Sequence, residues 1–459
     1  MRIWETLSLL LFLSTVSVAY EPKVLFEHDP TLLTTTIEIV LRSGMVDDPP
    51  GKNGLANLLG DFVLRGTKKK IREKFQSELE RLGGTLGARA TQDTIVFGGR
   101  VIKENTLPFL KLIEEAILTP AFSDAEFKSL KTETLAQISN IKNVNARLGG
   151  LALRRQFFQG TSLERPIEGS LTSVSNLQKK DLLLAYNNYF SRGNIVFGVV
   201  SPLAPEAVKA ALTQTWLKFP DGAARSRRSL PFNVPSKTTL IVVHKPNTST
   251  GSLLIGQPGI AAQDPLRYTL EVGNFAFGSE PLISRIFKII RSQLGWTYAI
   301  GTTYFTTGPL TYQQGIYVMN STPSIEFTGK TLFKLISMFR EYHEGGLKSD
   351  ELKLAEESMI NSYPFEFDSP EKRVGKQLYS YLYGVPILNQ EEYAKKIGNI
   401  SSSDIVKALK QKHEPNRWVI TLVADKNVIQ KQLDEEQKSL PADQRLTIAK
   451  VYTPDDLVK

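Results

Sequence analysis

The most informative segment of the chain runs from Gly54 to Thr67 and reads Gly-Leu-Ala-Asn-Leu-Leu-Gly-Asp-Phe-Val-Leu-Arg-Gly-Thr. Its polar or side-chain-free positions include Asn57, Gly60 and Asp61. Two histidines one turn apart on a helix can bind zinc, and a glutamate between them can take a proton from the zinc-bound water. An aspartate beside an amide is a poor zinc site, and Gly60 has no side chain with which to accept a proton. The stretch therefore predicts a helix that neither binds zinc nor activates water.

The frame of this stretch resembles the pitrilysin/insulinase family of inverted zinc peptidases. Active members of that family carry His-x-x-Glu-His between the same Gly-Leu-Ala and the same closing basic-Gly-Thr. The resemblance implies a third zinc ligand, a glutamate, on a later helix. Matching the apolar positions of the helix after Ser123 places Gln137 in that slot, 76 positions past Asp61. A neutral amide is a weak zinc ligand because it brings no charge to offset desolvation of the ion. The resemblance thus implies no metal in this chain and no catalytic residue of its own.

Other side chains do not replace the missing ligands. The chain has four histidines, and no two of them have the spacing of zinc ligands. Each is expected to be a surface or helix-end histidine. Glu133 becomes a substitute ligand only through a small shift of register, and a single carboxylate still lacks partners.

Length and composition indicate a globular protein of two to four units. The chain has 459 residues, of which 41% are hydrophobic and 22% charged. It has no cysteine, so no disulfide, thiolate metal site or cysteine nucleophile is expected. The net charge of +9 is scattered and comes with no nucleic-acid motif, so a nucleic-acid partner is not expected.

The first nineteen residues are predicted to be a secretory signal peptide. Arg2 supplies a positive start, 7–13 form a short apolar run, and Ser17-Val18-Ala19 forms a small-x-small cleavage site. A buried N-terminal helix is the alternative. No other segment approaches membrane-spanning length, so an integral membrane protein is not expected.

The two halves of the chain repeat the same order of elements, which predicts two similar units. Each half contains strands, a helix opened by a cap residue ahead of carboxylates, and a closing helix and apolar strand. The predicted strands 24–28 and 34–44 match 240–245 and 252–259, and the strand around 88–97 matches 297–305. The helix after Ser123 matches the helix from Ser349, and the closing helix and strand at 181–200 match those at 404–424. The predicted domains are 20–219 and 237–459, joined by a linker at 220–236 that is rich in Pro, Gly, Ser and Arg. Chance similarity of two α/β segments is the alternative.

The resemblance covers nearly all of 20–440 and implies an α+β fold. In that family two homologous halves form a clam-shell, and each half is a mixed, mainly antiparallel sheet flanked by helices. The repeat along this chain agrees with that plan.

An arginine and a tyrosine in the second half are the candidate functional residues. Arg291 lies seven positions before Tyr298, with Gly295 between them as a helix-ending turn. The arrangement resembles the family's helix-turn-strand that brings an Arg and a Tyr to the catalytic chamber from the half opposite the zinc. The alternative is an arginine on a solvated helix and a strand tyrosine that packs.

The resemblance implies a noncatalytic, substrate-positioning subunit of an exported heterodimeric zinc endopeptidase. Its partner would be a homologous chain with an intact His-x-x-Glu-His helix and the zinc, and its ligand a peptide. The periplasm of a Gram-negative bacterium is the expected location. The competing hypothesis is a peptide-binding or scaffold protein without a role in proteolysis, and a third is a peptidase active on its own.

Overall fold

A computed structural model describes residues 21–226, 229–305 and 314–459. The predicted signal peptide at 1–19 lies outside the described residues. No helix of the described part is both long enough and apolar enough to cross a membrane.

The first half is built on a five-stranded sheet with the order β1-β5-β2-β4-β3. Its strands are β1 (Lys23–His28), β2 (Thr34–Leu41), β3 (Gly84–Ala90), β4 (Ile95–Ile102) and β5 (Ile195–Ser201). Strands β1 and β5 pair in parallel, and the other neighbours are antiparallel. The closing strand β5 is buried along its whole length, as expected for an apolar run that packs on both faces.

The second half repeats this sheet and adds one strand, in the order β11-β6-β10-β7-β9-β8. Its strands are β6 (Thr239–His244), β7 (Ser252–Pro258), β8 (Thr297–Phe305), β9 (Ile316–Pro323), β10 (Val419–Ala424) and β11 (Ile448–Tyr452). Strand β10 is parallel to β6 and antiparallel to β7, as β5 is to β1 and β2. The α+β fold with two homologous halves is confirmed.

The helices follow the same repeat. Those of the first half are α1 (Leu55–Val63), α2 (Arg72–Arg81), α3 (Thr106–Leu118), α4 (Asp124–Asn140), α5 (Asn145–Phe157), α6 (Leu171–Asn176), α7 (Lys179–Tyr189) and α8 (Pro205–Leu217). Those of the second half are α9 (Arg267–Asn274), α10 (Thr328–Gly345), α11 (Ser349–Ser362), α12 (Pro370–Tyr383), α13 (Gln390–Gly398), α14 (Ser402–Lys412), α15 (Lys426–Glu436) and α16 (Pro454–Val458). The hydroxyl of Ser123 caps α4 by accepting the Glu126 N–H, as its sequence predicts.

One local prediction is wrong. The segment 88–97 was expected to form a single strand, but it contains the end of β3, a turn and the start of β4. The turn is held by the Thr91 hydroxyl, which accepts the N–H groups of Asp93 and Thr94. Local hydrogen bonding of this kind competes with a continued strand.

Each half lends one helix to the sheet of the other. Helix α5 of the first half lies on β10 and β7, where a Cβ at Gly149 would come within 3.1 Å of Leu254 Cδ1. Helix α12 of the second half lies on β1 and β5, where a Cβ at Gly198 would come within 2.7 Å of Leu378 Cδ1. Arg373 of α12 also donates to the Glu27 carboxylate at 3.0 Å. This exchange of helices joins the halves through their cores.

Candidate functional site

The stretch at 54–67 folds as the predicted helix, and its beginning is fixed by close packing. Gly54 precedes α1 with φ of 94°, and a Cβ there would lie 2.4 Å from the Glu168 carbonyl oxygen, so only glycine fits. The Asp48 carboxyl accepts the N–H groups of Gly54 and Ala56 at 2.8 and 2.9 Å. Burial raises the pKa of Asp48 to about 8, against the effect of these hydrogen bonds. The Gly-Leu-Ala frame is therefore a helix-start structure that survives without the metal ligands.

The four positions that differ from the zinc ligands and general base of active family members lie on α1 and α4, two helices that pack together. Asn57 and Asp61 are half-buried and one turn apart on α1, Gly60 is buried between them, and Gln137 is exposed on α4. Burial raises the pKa of Asp61, with Arg65 lowering it and Glu133 raising it further. The described residues contain no group of three or more His, Cys, Asp or Glu side chains placed to hold a metal ion. These residues do not fit the zinc ion that active members of the resembled family bind.

Gly60 has little room for any side chain. A Cβ at this position would lie 3.1 Å from Ile95 Cγ2 and 3.4 Å from Ala88 Cβ, both on the sheet beneath α1. Carbon atoms in ordinary contact lie about 3.5–4.0 Å apart. The packing of α1 on β3 and β4 therefore leaves no room for a glutamate at position 60, where active members of the family carry the general base.

A salt-bridge cluster joins α1 to α4 at this place. Both terminal nitrogens of Arg65 donate to the Glu133 carboxylate, at 3.1 and 2.5 Å, and Nη1 also lies 3.3 Å from Glu126. Ser129 donates to the same Glu133 carboxylate at 2.8 Å. The Arg65 hydrogen bonds lower the pKa of Glu133 to about 2. Glu133 is therefore committed to a guanidinium and is not a substitute zinc ligand.

The four histidines lie at the surface or at helix ends, as expected, and the two at helix ends are buried. His343 and His413 are buried, and the ring of His413 lies 2.7 Å through Nε2 from the Tyr304 hydroxyl. Burial lowers the pKa of His413 to about 3, so the ring is neutral. His28 and His244 lie at strand ends and contact backbone groups of Pro202 and Lys426. The ring of His343 contacts the backbone carbonyl of His413, and this contact was not predictable from the sequence because 70 positions separate the two residues.

The structure brings Arg291 and Tyr298 into contact. The guanidinium carbon of Arg291 lies 4.6 Å from the centre of the Tyr298 ring and 4.5 Å from that of Phe287. The arginine is thus stacked on two aromatic rings, which is favourable for a cation. Sequence reasoning missed Phe287, although its position four residues before Arg291 is the spacing of neighbours on a helix.

The backbone around this pair is unusual. The segment Phe287–Gln293 winds as a π-helix, in which the Leu294 N–H reaches the Ile289 carbonyl at 3.0 Å. The turn closes at Gly295 with φ of 65°, and Tyr298 follows on β8, the edge strand of the second sheet. π-Helical turns occur frequently at functional sites. The side chain of Arg291, which belongs to this turn, lies over the ring of Tyr298.

The hydrogen-bonding groups of the pair remain available. Tyr298 is 82% exposed. Within the described ranges, no carboxylate lies within 4.0 Å of Arg291, and the Tyr298 hydroxyl has no hydrogen-bond partner. Stacking uses the face of a guanidinium and leaves its N–H donors in the plane of the group. The two residues can therefore donate hydrogen bonds to a ligand without breaking existing contacts.

Two family models match consecutive parts of the chain. The model described as insulinase (peptidase family M16) matches 23–170, and the model described as the peptidase M16 inactive domain matches 176–359. The chain belongs to peptidase family M16, the insulinase family. The recognition from the 54–67 frame is confirmed.

Curated M16 relatives include both peptidases and non-peptidases. The chain is 20% identical to the uncharacterized zinc protease YmxG of Bacillus subtilis over 77% of this chain and 84% of that protein. It is 22% identical to the non-peptidase homolog YmxG of Helicobacter pylori, over 88% of this chain and 92% of that protein. It is 20% identical to the human mitochondrial-processing peptidase subunit beta, over 46% of this chain and 43% of that protein.

Solved structures share the M16 fold. A crystal structure of a peptidase M16 inactive domain from Pseudomonas fluorescens matches with a TM-score of 0.77 at 22% identity, covering 88% of this chain and 96% of that one. A chain of complex III2 from Candida albicans matches with a TM-score of 0.70 at 15% identity, covering 89% and 97%. At these identities the likeness concerns the fold alone.

Proposed function

We propose that this M16 chain is the noncatalytic, substrate-positioning subunit of an exported heterodimeric zinc endopeptidase. Its partner is a homologous chain with an intact His-x-x-Glu-His helix, and the zinc ion resides in that partner. This chain contributes Arg291 and Tyr298 to the partner's site.

The observation that carries the proposal is the stacking of Arg291 between Phe287 and Tyr298 with its donors free. The two rings hold the guanidinium in place, so a peptide would meet a donor group that is already oriented. Arg291 would donate to the substrate backbone or a carboxylate. The Tyr298 hydroxyl would donate to the oxygen that gains negative charge when hydroxide attacks the peptide carbonyl. A scaffold has no evident use for such a pair.

The first sheet offers a surface for an extended peptide. Strand β3 is the last strand of the described five-stranded sheet, and it packs beside α1. The side of an edge strand that lacks a neighbour presents free N–H and C=O groups to which a peptide can add as a further strand. Peptide binding in this manner is compatible with the loss of the zinc ligands.

The names of two relatives support separate parts of the proposal. The Helicobacter pylori protein is named a non-peptidase homolog, which supports the loss of catalysis, and the human protein is named subunit beta of the mitochondrial-processing peptidase, which supports a role as a subunit. The altered slots at Asn57, Gly60, Asp61 and Gln137 agree with the first of these. Export and a periplasmic location rest on the leader at 1–19.

Reconstitution with a partner carrying the intact motif tests the proposal. Tyr298→Phe is expected to lower turnover of the complex by about 10²-fold, the scale of one lost oxyanion donor. Its effect on substrate affinity should be smaller because the hydrogen bond strengthens only in the transition state. Arg291→Ala should mainly raise KM, since the arginine holds the peptide before the reaction. Size-exclusion chromatography should show that both variants still bind the partner.

Tyr381→Phe is the matched control, because Tyr381 is also exposed but lies on α12. The control should leave turnover unchanged. Wild-type rates from both Arg291 and Tyr298 variants would refute the proposed roles. The alternative, a scaffold or peptide-binding protein, would then be favoured. Chelator-sensitive cleavage by this chain alone would support the third hypothesis of an independent peptidase.

A further inference from the structure

A cavity of about 390 Å³ lies between the halves, away from the α1–α4 slots. One side of it is formed by α5 of the first half, and the other by strands β7 and β9 of the second sheet. Its walls are largely apolar and include Leu153, Leu254 and Val318. Two polar side chains reach it, Gln92 from the β3–β4 turn and Arg154 from α5.

Arg154 carries a charge without a counterion at this cavity. Its Nε donates to the Leu163 carbonyl at 2.9 Å, and its Nη2 lies 3.8 Å from the Met45 sulfur. In the part of the chain that the structure describes, no carboxylate lies within 4.0 Å of its guanidinium. Burial lowers the pKa of Arg154 to about 10, with Glu168 acting in the opposite direction, so the group stays charged at neutral pH. Arg154 is half-buried, and a partly desolvated cation of this kind is stabilised by an anion.

The cavity also has space for a ligand beside this arginine. Gly150 lies one turn before Arg154 on α5, and a Cβ there would meet no atom within 4 Å. Glycine in the middle of a helix costs about 1 kcal/mol relative to alanine, so its presence on the cavity wall is not explained by helix stability. Its effect is to leave the wall open next to the guanidinium.

We propose that this cavity binds the carboxylate at the end of a short apolar chain, with Arg154 pairing with the carboxylate. A single guanidinium matches a carboxylate through two parallel N–H···O bonds. The apolar walls suit an aliphatic tail, and the volume lies within the range of small-molecule sites. A dianionic phosphate would need more donors than the cavity offers. This site goes beyond the proposed function and does not depend on a partner subunit.

Two chemical sources share this ligand chemistry, the C-terminal carboxylate of a peptide ending in an aliphatic residue and a free medium-chain fatty acid. The test is titration calorimetry of the full mature chain with matched pairs of probes. N-acetyl-leucine is compared with N-acetyl-leucinamide, and octanoate is compared with octanol. We expect saturable one-to-one binding of at least one carboxylate and none of its uncharged counterpart. The pair that responds identifies the source.

Two variants test the site from opposite sides. Arg154→Gln removes the charge and should weaken binding by about 10- to 100-fold, the scale of a hydrogen bond to a charged group. Gly150→Leu fills the open wall and should abolish binding while leaving the charge in place. Arg155→Gln is the control, because Arg155 is the next residue of α5 but interacts with Glu164 and the Leu457 carbonyl.

Thermal unfolding establishes that each variant is folded. If Arg154→Gln fails to fold, Arg154→Lys takes its place, since it keeps the charge but loses the two-pronged donor geometry and should weaken binding less. Failure of both carboxylates to bind the wild-type chain would overturn the proposal. Equal binding of a carboxylate and its uncharged counterpart, or binding that Gly150→Leu leaves unchanged, would overturn it as well.

Discussion

Gly60→Ala should destabilise the protein although alanine is the better helix former. Replacing glycine with alanine inside a helix ordinarily stabilises by about 0.8–1.0 kcal/mol. Here the added Cβ would lie 3.1 Å from Ile95 Cγ2 and 3.4 Å from Ala88 Cβ, so Ile95, which is fully buried, has to withdraw by a few tenths of an ångström. Overpacking of a well-packed core costs about 1–3 kcal/mol. We therefore expect Gly60→Ala to lower the free energy of unfolding by up to about 2 kcal/mol.

A second substitution identifies the atom responsible. Ile95→Leu moves the side-chain branch from Cβ to Cγ and so removes the Cγ2 atom that the new Cβ would approach most closely. Alone it should cost less than about 1.5 kcal/mol. Combined with Gly60→Ala, it should cost less than the sum of the two single changes, with a coupling of about 0.5–3 kcal/mol in the favourable direction.

Urea unfolding followed by circular dichroism measures these differences, and Gly375→Ala is the matched control. Gly375 also lies inside a helix, α12, but a Cβ there would meet no atom within 4 Å. That change should stabilise by about the full propensity difference. If Gly60→Ala stabilised the protein as much as Gly375→Ala, the closed-slot explanation for the missing general base would be wrong.

Three further predictions concern the degenerate site and the leader. Purified alone, the mature chain should hold substoichiometric zinc in elemental analysis, and one tightly held zinc per chain would contradict the vacant-site assignment. Because the pKa of Glu133 is lowered to about 2, its pairing with Arg65 should stabilise the fold fully above about pH 4.5 and lose this effect as the pH falls toward 2. The Glu133→Gln variant should therefore be less stable than the wild type at neutral pH and approach it near pH 2. A stability difference that does not depend on pH would refute the pairing. N-terminal sequencing of exported protein should begin at Tyr20, whereas retention of Met1 would contradict the signal-peptide prediction.

The frame of α1 was predictable because its signals are local. Gly54 before the helix and the capping hydroxyl of Ser123 before α4 act within a few residues, and the Ser123 cap appears in the structure as the sequence predicts. The duplication was visible for a related reason, since each half presents its strands and helices in the same order. The turn between β3 and β4 was missed although Asp93 lies within it, because the apolar residues on either side suggested a continuous strand.

The contacts that decide the site were not predictable because they join distant parts of the chain. Arg65 and Glu133 are 68 positions apart, and their pairing depends on how α1 packs on α4. The π-helical turn before Tyr298 depends on hydrogen bonds one residue longer than those of an α-helix, which leave no pattern in the side chains. The Arg291 and Tyr298 spacing indicated proximity, but the second stacking partner, Phe287, was overlooked.

Because α5 and α12 each cover the sheet of the other half, we expect the two halves to unfold as a single cooperative unit. The sheet of each half is covered on one face by a helix that the other half encodes, so a chain cut within 220–236 would leave two fragments that each lack part of their own core. Such fragments should stay associated after proteolysis of the linker and refold only when both are present. Separation of the two halves would then require both helices to leave the sheets that they cover.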